Sequence, residues 1–162
     1  MATGTISVTS ELFSHDGTLP MSAAHAFVGG GNVSPDLRWS GVPAEAKSLA
    51  VTVYDPDAPT TVGFVHWVLF DLDPKLEALP AGAGSAGKNP AGSTLGLTDW
   101  GTNEYGGMAP PAGDEPHRYI FTVYALDVPS LGLPQNTTYA VFNFMTRGHV
   151  LATGSLTGRF GL

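Results

Sequence analysis

Three apolar stretches, at residues 47–55, 63–72 and 117–127, dominate the hydrophobic pattern of the chain. Residues 47–55 ("KSLAVTVYD") alternate in a way that predicts a strand with two distinct faces. Those faces carry Leu49, Val51 and Val53 on one side, and Ala50, Thr52 and Tyr54 on the other. Residues 117–127 ("HRYIFTVYALD") predict a further strand, with His117, Tyr119 and Phe121 on one face.

Residues 63–72 ("GFVHWVLFDL") are apolar on both faces, which predicts a central strand covered on both sides. Strict alternation places Phe64, His66, Val68 and Phe70 on one face. His66 is then a single imidazole on an otherwise apolar face, where it needs a polar partner.

Weaker patterns predict the remaining elements. Residues 4–10 ("GTISVTS") and 154–160 ("GSLTGRF") favour short strands, and 37–39 a short extended piece. Residues 136–153 favour one helix, capped by Asn136 or Thr137, with Gly154 near its exit. Its helically spaced positions are Tyr139, Phe142, Met145 and, as a candidate fourth, His149. The sum predicts a mostly β fold, a two-sheet sandwich with one or two short helices.

Composition supports one globular domain spanning residues 1–162. Hydrophobic residues make up 43% and charged residues 13%, which excludes a disordered chain. The 21 glycines and 13 prolines indicate many turns, and the absence of cysteine excludes disulfide and thiolate chemistry.

The net charge of −7, with only seven Lys and Arg, argues against nucleic acid and anionic membranes as partners. A negative field also repels anions at long range, so any anion site must be built locally. The N-terminal residues lack the pattern of a secretion signal, and no apolar run reaches the ~18 residues of a membrane span. We therefore expect a cytoplasmic protein without an integral membrane segment.

Residues Gly82–Asn89 ("GAGSAGKN") imitate a nucleotide-binding loop. Such loops need a strand before the glycines and a helix after them. "EALP" precedes the segment and Pro90 follows it, which disfavours both elements. We interpret the segment as a flexible surface loop.

Five polar residues stand where the long predicted strands begin or end: Asp55, Asp57, His66, His117 and Tyr119. Individually they have ordinary explanations, because an Asp before Pro forms turns and a strand His is usually a core residue. Together they can form an anion site without Lys or Arg. A carboxylate beside an imidazole raises its pKa, while burial lowers it. Asp55 precedes the strand of His66 and is the expected partner of the imidazoles.

The two prolines of "DPDAP", Pro56 and Pro59, bend the chain between consecutive strands. Because tight turns favour cis X–Pro bonds, we expect a cis bond before at least one of them.

Several motifs, in this order, resemble the phosphatidylethanolamine-binding protein family, and most closely its bacterial, Raf-kinase-inhibitor-like branch. They are "NVSPDLRW", "YDPDAP", "GFVHWVLFDL", "PPAGDEPHRYIFTVYALD" and "GHVLATGSLTG", and the match runs from about Phe13 to Phe160. The resemblance implies a Greek-key β-sandwich with a small anion pocket at one end. It implies that the pocket is formed by Asp55, Asp57, His66, His117 and Tyr119, with Pro110 and Pro111 at its mouth.

Two departures from the family pattern concern the surroundings of this pocket. "GMAPP" replaces the usual G-P-x-P-P. Met108 and Ala109 are therefore expected to alter the rim of the pocket and with it the choice of ligand. Residues 98–101 read Thr-Asp-Trp-Gly where the family usually has Asn-Asp-aromatic-Gly.

The resemblance implies a non-catalytic binding protein without cofactor or metal. Its ligand would be a phosphate-type anion on a phospholipid headgroup, a nucleotide or a phosphorylated partner. A second hypothesis is a regulator that inhibits a kinase or a protease, and a homodimer is kept as a candidate assembly. The alternative is a metal-dependent or hydrolytic enzyme that uses His66, His117 and Asp55, since two His and a carboxylate resemble a facial metal triad.

Overall fold

Nine strands and one α-helix form the regular structure of residues 4–162, the part of the chain that the computed structural model describes. The strands are β1 (Gly4–Thr5), β2 (Ser7–Thr9), β3 (Leu37–Ser40), β4 (Ser48–Asp55), β5 (Phe64–Leu72), β6 (Ala78–Leu79), β7 (Thr94–Leu95), β8 (His117–Leu126) and β9 (Val150–Phe160). The helices are α1 (Tyr139–Thr146) and two short 3₁₀ turns, Met21–Ala23 and Ala26–Val28. None of these helices has the length and apolar character that crossing a bilayer requires.

The strands form two sheets, which confirms the predicted sandwich. The larger sheet has the order β1-β9-β8-β4-β5-β7, and the smaller has the order β2-β3-β6. After the antiparallel pair β4–β5, the chain crosses back so that β8 lies on the other side of β4, and β9 then pairs with β8. Because β7 pairs with β5, the spatial order β8-β4-β5-β7 is that of a Greek key. It places the end of β4 between the starts of β5 and β8.

The larger sheet is covered on both faces. One face packs on the smaller sheet in the main core, which includes Val51, Phe121 and, from β3, Trp39. The other face carries a smaller cluster under α1, whose Phe142 is fully buried. The predicted alternation of β4 is confirmed, since Leu49, Val51 and Val53 belong to the main core and Ala50 to the smaller cluster.

Strand β5 departs from the predicted alternation at His66. Val53 pairs with Trp67 but Tyr54 pairs with Val65, so His66 is an extra residue in the ladder. Such a β-bulge switches the face on which the following side chains lie. Trp67 therefore joins the main core and Val65 the smaller cluster, and the prediction that Phe64, His66, Val68 and Phe70 share one face is wrong beyond His66.

The strands predicted at residues 4–10 and 154–160 differ in extent from the observed ones, since the first is divided in two and the second is longer. Residues 4–10 split at Ile6, so that β1 pairs with β9 in the larger sheet and β2 with β3 in the smaller. Strand β9 includes Gly154, which is therefore not at the helix exit. A Cβ there would lie 1.7 Å from the carbonyl oxygen of Ile6, so the close approach of these two backbones requires glycine.

Helix α1 is shorter than the predicted segment, and its N-cap lies one residue after Thr137 and two after Asn136, the predicted caps. Thr138 is the N-cap, and its hydroxyl accepts a hydrogen bond from the backbone N–H of Val141. The helix ends at Thr146, and Gly148 then adopts a positive φ of 85° that leads into β9.

The segment Gly82–Asn89 forms turns between β6 and β7, with no helix after it. It lacks the strand–loop–helix arrangement of a nucleotide-binding loop, although the two-residue strand β6 precedes it. Part of it is packed, because a Cβ on Gly84 would lie 2.4 Å from Tyr105.

Candidate functional site

A cavity of about 220 Å³ lies where the end of β4 meets the starts of β5 and β8. The antiparallel register brings these ends together, since Asp55 pairs with Phe64 and Tyr54 with Ile120. The lining residues are Asp55, Ala58, Pro59, Thr60, Phe64, His66, Trp100, Ala109, Pro110, Pro111, His117 and Tyr119. Six of the seven predicted site residues line this cavity, and the exception is Asp57.

Asp55 is buried and uses both carboxylate oxygens. Its Oδ1 accepts hydrogen bonds from the backbone N–H groups of Asp57 (2.8 Å) and Ala58 (3.1 Å), which closes the turn after β4. Its Oδ2 accepts a hydrogen bond of 2.8 Å from Nδ1 of His117. One carboxylate thus shapes the loop and orients an imidazole.

The turn is built without a cis peptide bond. Every peptide bond in the described residues is trans, so the expectation of a cis bond before Pro56 or Pro59 is wrong. The side chain of Asp55 bends the chain by accepting from the residues that follow it, an Asx turn that needs no isomerisation.

His117 is buried and donates from both ring nitrogens to carboxylates. Nδ1 bonds to Asp55, and Nε2 bonds to Oδ2 of Asp114 at 2.9 Å. Burial by itself lowers the pKa of His117, but the hydrogen bonds to the two carboxylates outweigh it and raise the pKa. The surroundings of His117 therefore favour its cationic form.

His66 differs from His117 in partner and in charge. Its Nδ1 donates to the carbonyl oxygen of Gly106 at 2.7 Å, while the N–H of Gly106 donates to the carbonyl of His66 at 3.0 Å. Burial lowers the pKa of His66 to about 4, and the Gly106 carbonyl and the charge of Asp55 offset this only in part. The expectation that Asp55 charges both imidazoles is wrong for His66, which is neutral at pH 7.

Tyr119 stands between the two imidazoles. Its ring centroid is 5.2 Å from that of His66, nearly edge-on, and 6.4 Å from that of His117, nearly parallel. Burial, the negative charge of Asp55 and a hydrogen bond to the Asp55 carboxylate raise the pKa of the Tyr119 phenol. The phenol therefore keeps its proton and can act as a hydrogen-bond donor.

Asp57, predicted as a site residue, lies outside the cavity lining. Its carboxylate accepts from the backbone N–H of Arg118 (2.8 Å), from Nε (3.0 Å) and from Nη2 (2.9 Å) of the same residue. This bidentate pair holds the pKa of Asp57 at about 2. Asp57 fixes the DPDAP loop to the start of β8 and is not available to a ligand in the cavity.

Trp100 forms a wall of the cavity, although in the sequence it stands out only as part of a variant motif. Its indole stacks on His25 at 4.0 Å and meets Phe64 edge-on at 5.2 Å. The preceding Asp99 fixes it to the bulged end of β5, because Asp99 N–H donates to the Val65 carbonyl and its carboxylate accepts from Val65 N–H at 2.7 Å.

Of Met108 and Ala109, the two residues expected at the rim of the cavity, only Ala109 lies there. Ala109 lines the cavity together with Pro110 and Pro111. Met108 does not, because its side chain is only 1% exposed and its sulfur lies 3.6 Å from the Tyr105 hydroxyl. Substitution at Met108 therefore changes the packing behind the rim.

The geometry does not arrange the imidazoles and carboxylates as a metal centre. Within residues 4–162, no group of three His, Asp or Glu side chains is placed to hold a metal ion. Both ring nitrogens of His117 point at carboxylates, and Nδ1 of His66 points at a backbone carbonyl.

Comparisons with known proteins agree with this fold. Residues 9–161 match the family model described as Phosphatidylethanolamine-binding protein. The UPF0098 protein YbhB of Escherichia coli is 45% identical over 141 residues, covering 84% of this chain and 89% of YbhB. The crystal structure of Escherichia coli YbcL, titled a new member of the mammalian PEBP family, superimposes with a TM-score of 0.93 at 38% identity, over 97% of this chain and 98% of that one.

A more distant structure shares the fold alone. A carboxypeptidase Y inhibitor, solved in complex with its cognate proteinase, superimposes with a TM-score of 0.55 over 97% of this chain and 83% of the other. Its sequence identity is 22%.

Proposed function

The chain belongs to the phosphatidylethanolamine-binding protein family, and from that premise we propose that it is a non-catalytic binding protein for a small phosphate-type anion. The observation that carries the proposal is the buried imidazolium of His117 in the wall of a small cavity. Although two carboxylates flank it, this imidazolium is the one group of the cavity lining that can offer an anion a charged N–H donor.

The other polar groups of the cavity favour an anion that still carries a proton. Tyr119 is a donor, whereas neutral His66, with its Nδ1 proton on Gly106, offers Nε2 as an acceptor. A phosphate monoester has a second pKa near ~6, so its monoanion carries both acceptor oxygens and one P–OH donor. That combination matches an imidazolium, a phenol and a neutral imidazole.

The size of the cavity limits what it can enclose. Its volume of about 220 Å³ is below the roughly 300–1,000 Å³ typical of sites that enclose a drug-sized ligand. We infer that the phosphate group enters and the rest of its carrier stays outside, along the apolar rim of Phe64, Trp100 and Pro111. This is compatible with a lipid headgroup, a nucleotide or a phosphorylated side chain.

Inhibition of a kinase or a protease is not favoured by any residue of this site. The inhibitor that was solved with its proteinase shares only the fold at 22% identity. The site therefore supports anion binding as the function, and it provides no argument for inhibition of a kinase or a protease.

The test is calorimetric titration near pH 6 with inorganic phosphate, phosphorylethanolamine, AMP and a phosphoserine peptide as separate ligands. His117→Ala should weaken binding by about 10- to 100-fold, since it removes a charged hydrogen-bonding group worth roughly 1.5–3 kcal/mol. The matched control is His149→Ala, because His149 also pairs with an aspartate (Asp127, 2.8 Å) but lies on the surface outside the cavity.

Ranking of the four ligands identifies the carrier of the phosphate. Undetectable binding of every ligand, or equal losses in the two His variants, would contradict the proposal.

A further inference from the structure

We infer that Asp114 is a tethered competitor for the ligand, a carboxylate of the protein itself that must leave His117 before an anion can take its N–H. The inference rests on the proposed function and concerns how that site is regulated. It begins from the double engagement of His117, whose two ring nitrogens both donate to carboxylates. An added anion can gain an N–H from His117 only by displacing one of them.

The two carboxylates differ in how firmly they are held. The side chain of Asp55 is 3% exposed, and its second oxygen accepts the two backbone N–H groups of its turn. The side chain of Asp114 is 41% exposed, and the hydrogen bond to His117 is its one described side-chain contact. Asp114 is therefore the partner that can be displaced.

The local chain allows that movement. Every residue from 111 to 116 is exposed. Gly113 has a φ of 89°, and a Cβ built on it would meet nothing within 4 Å. Backbone bonds from Gly113 N–H to the Leu162 carbonyl and from Asp114 N–H to the Pro111 carbonyl hold the segment, each at 3.2 Å. Rotation of the Asp114 side chain needs neither bond to break.

His117 also separates two spaces. It lines the cavity, and it lines an adjoining surface groove together with Asp57, Asp114, Glu115, Pro116, Arg118 and Arg159. When the Asp114 side chain rotates away, Nε2 of His117 becomes a free donor between the cavity and the groove. The charged and titratable groups around the ring come from the strands and loops on every side of it: Asp55 from β4, Asp57 from the loop after it, His66 from β5, Glu115 from the loop before β8, Arg118 and Tyr119 from β8, and Arg159 from β9.

The consequence is a lowered affinity for weak anions and a preference for those that outcompete a carboxylate. Phosphate displaces Asp114 better than a monovalent carboxylate such as acetate does, because its monoanion offers more acceptor oxygens and also carries a P–OH donor. Asp114 would thus set the threshold of affinity at which the pocket fills.

The test compares Asp114→Asn with Glu115→Gln. Both remove one formal charge from the same exposed segment, but only Asp114 bonds to His117. Calorimetry with inorganic phosphate is done at pH 5.5, below the ordinary imidazole pKa of about 6.5, to favour the protonated form of His117. We expect Asp114→Asn to bind phosphate about tenfold more tightly (about 1.4 kcal/mol) and Glu115→Gln to change affinity less than about twofold, because exposed charges are screened.

Two further measurements separate competition from a general effect of charge. Asp114→Glu restores a carboxylate and should return affinity toward the wild-type value. In the wild-type protein, the side-chain carboxyl ¹³C signal of Asp114 should shift on saturation with phosphate, while that of Glu115 should not.

This inference would be overturned if Asp114→Asn and Glu115→Gln raised phosphate affinity equally, or if neither substitution changed it. Either result would leave the proposed function standing. No phosphate binding by the wild type or by any variant would overturn both. Binding by Asp114→Asn alone would support the inference most strongly.

Discussion

Acid is expected to destabilise the protein through His66. The folded protein binds a proton on this residue only near pH 4, because burial lowers its pKa to about 4, whereas an unfolded chain binds it near pH 6.5. Between these two values the unfolded state binds more protons, so stability falls as the pH falls. Linkage gives a loss of about 2 kcal/mol between pH 7 and pH 5, and about 3 kcal/mol by pH 4.

The measurement is urea unfolding, followed by tryptophan fluorescence in buffers without phosphate, for wild type and His66→Gln. Glutamine cannot titrate, yet its amide N–H can still reach the Gly106 carbonyl. The difference in unfolding free energy between the two proteins should therefore shift by about 2 kcal/mol from pH 7 to pH 5. His149→Gln, which alters an exposed imidazole, should show no comparable shift.

If the unfolding free energies of wild type and His66→Gln changed with pH in the same way, this account of His66 would be refuted. An NMR titration that gives the His66 ring in the folded protein a pKa near 6.5 would refute it as well. The raised pKa of His117 acts in the opposite direction. Its contribution to stability is complete below the ordinary value and is lost as the pH rises through its folded pKa.

Three further substitutions test other parts of the site. Asp55→Asn should lower the pKa of His117 and weaken phosphate binding near pH 7, as followed by NMR and calorimetry; tighter binding with unchanged titration would mean that Asp55 only repels the ligand. Gly106→Ala places a Cβ 2.0 Å from Cδ1 of Trp100, so we expect a loss of about 1–3 kcal/mol in stability and a changed tryptophan emission, and an unchanged spectrum would contradict this packing. Lys88→Ala alters an exposed residue of the glycine-rich segment and should leave phosphate and ATP binding unchanged; loss of ATP binding would revive the nucleotide-loop interpretation.

The strands and their main faces were predictable because burial leaves a regular trace in the sequence. The alternation of residues 47–55 and 117–127 follows from strand geometry alone, and both segments are the strands that it predicted. Residues 63–72 also form the predicted strand, but the hydrophobic pattern of the sequence did not indicate the bulge at His66. A bulge is a property of the pairing between two strands, and a single strand does not encode its partner's register.

The candidate site residues were predictable as a set but not in their pairings. The positions of the five polar residues suggested convergence, and four of them line one cavity together with Pro110 and Pro111, which the family resemblance implied. That Asp55 bonds to His117, 62 residues away, is set by the position of β8 beside β4. Asp57 follows Asp55 by two residues, yet it faces Arg118 outside the cavity.

The sequence by itself determined the class of fold, the family and the types of polar group near one end of the sandwich, because local periodicity and ordered motifs are linear properties. Only the tertiary structure decided the charge of each imidazole. His66 is neutral at pH 7 because burial lowers its pKa to about 4, and His117 favours its cationic form because hydrogen bonds to two carboxylates outweigh its burial and raise its pKa. A pKa depends on desolvation and on charges a few ångströms away, and those distances exist only once the strands have paired.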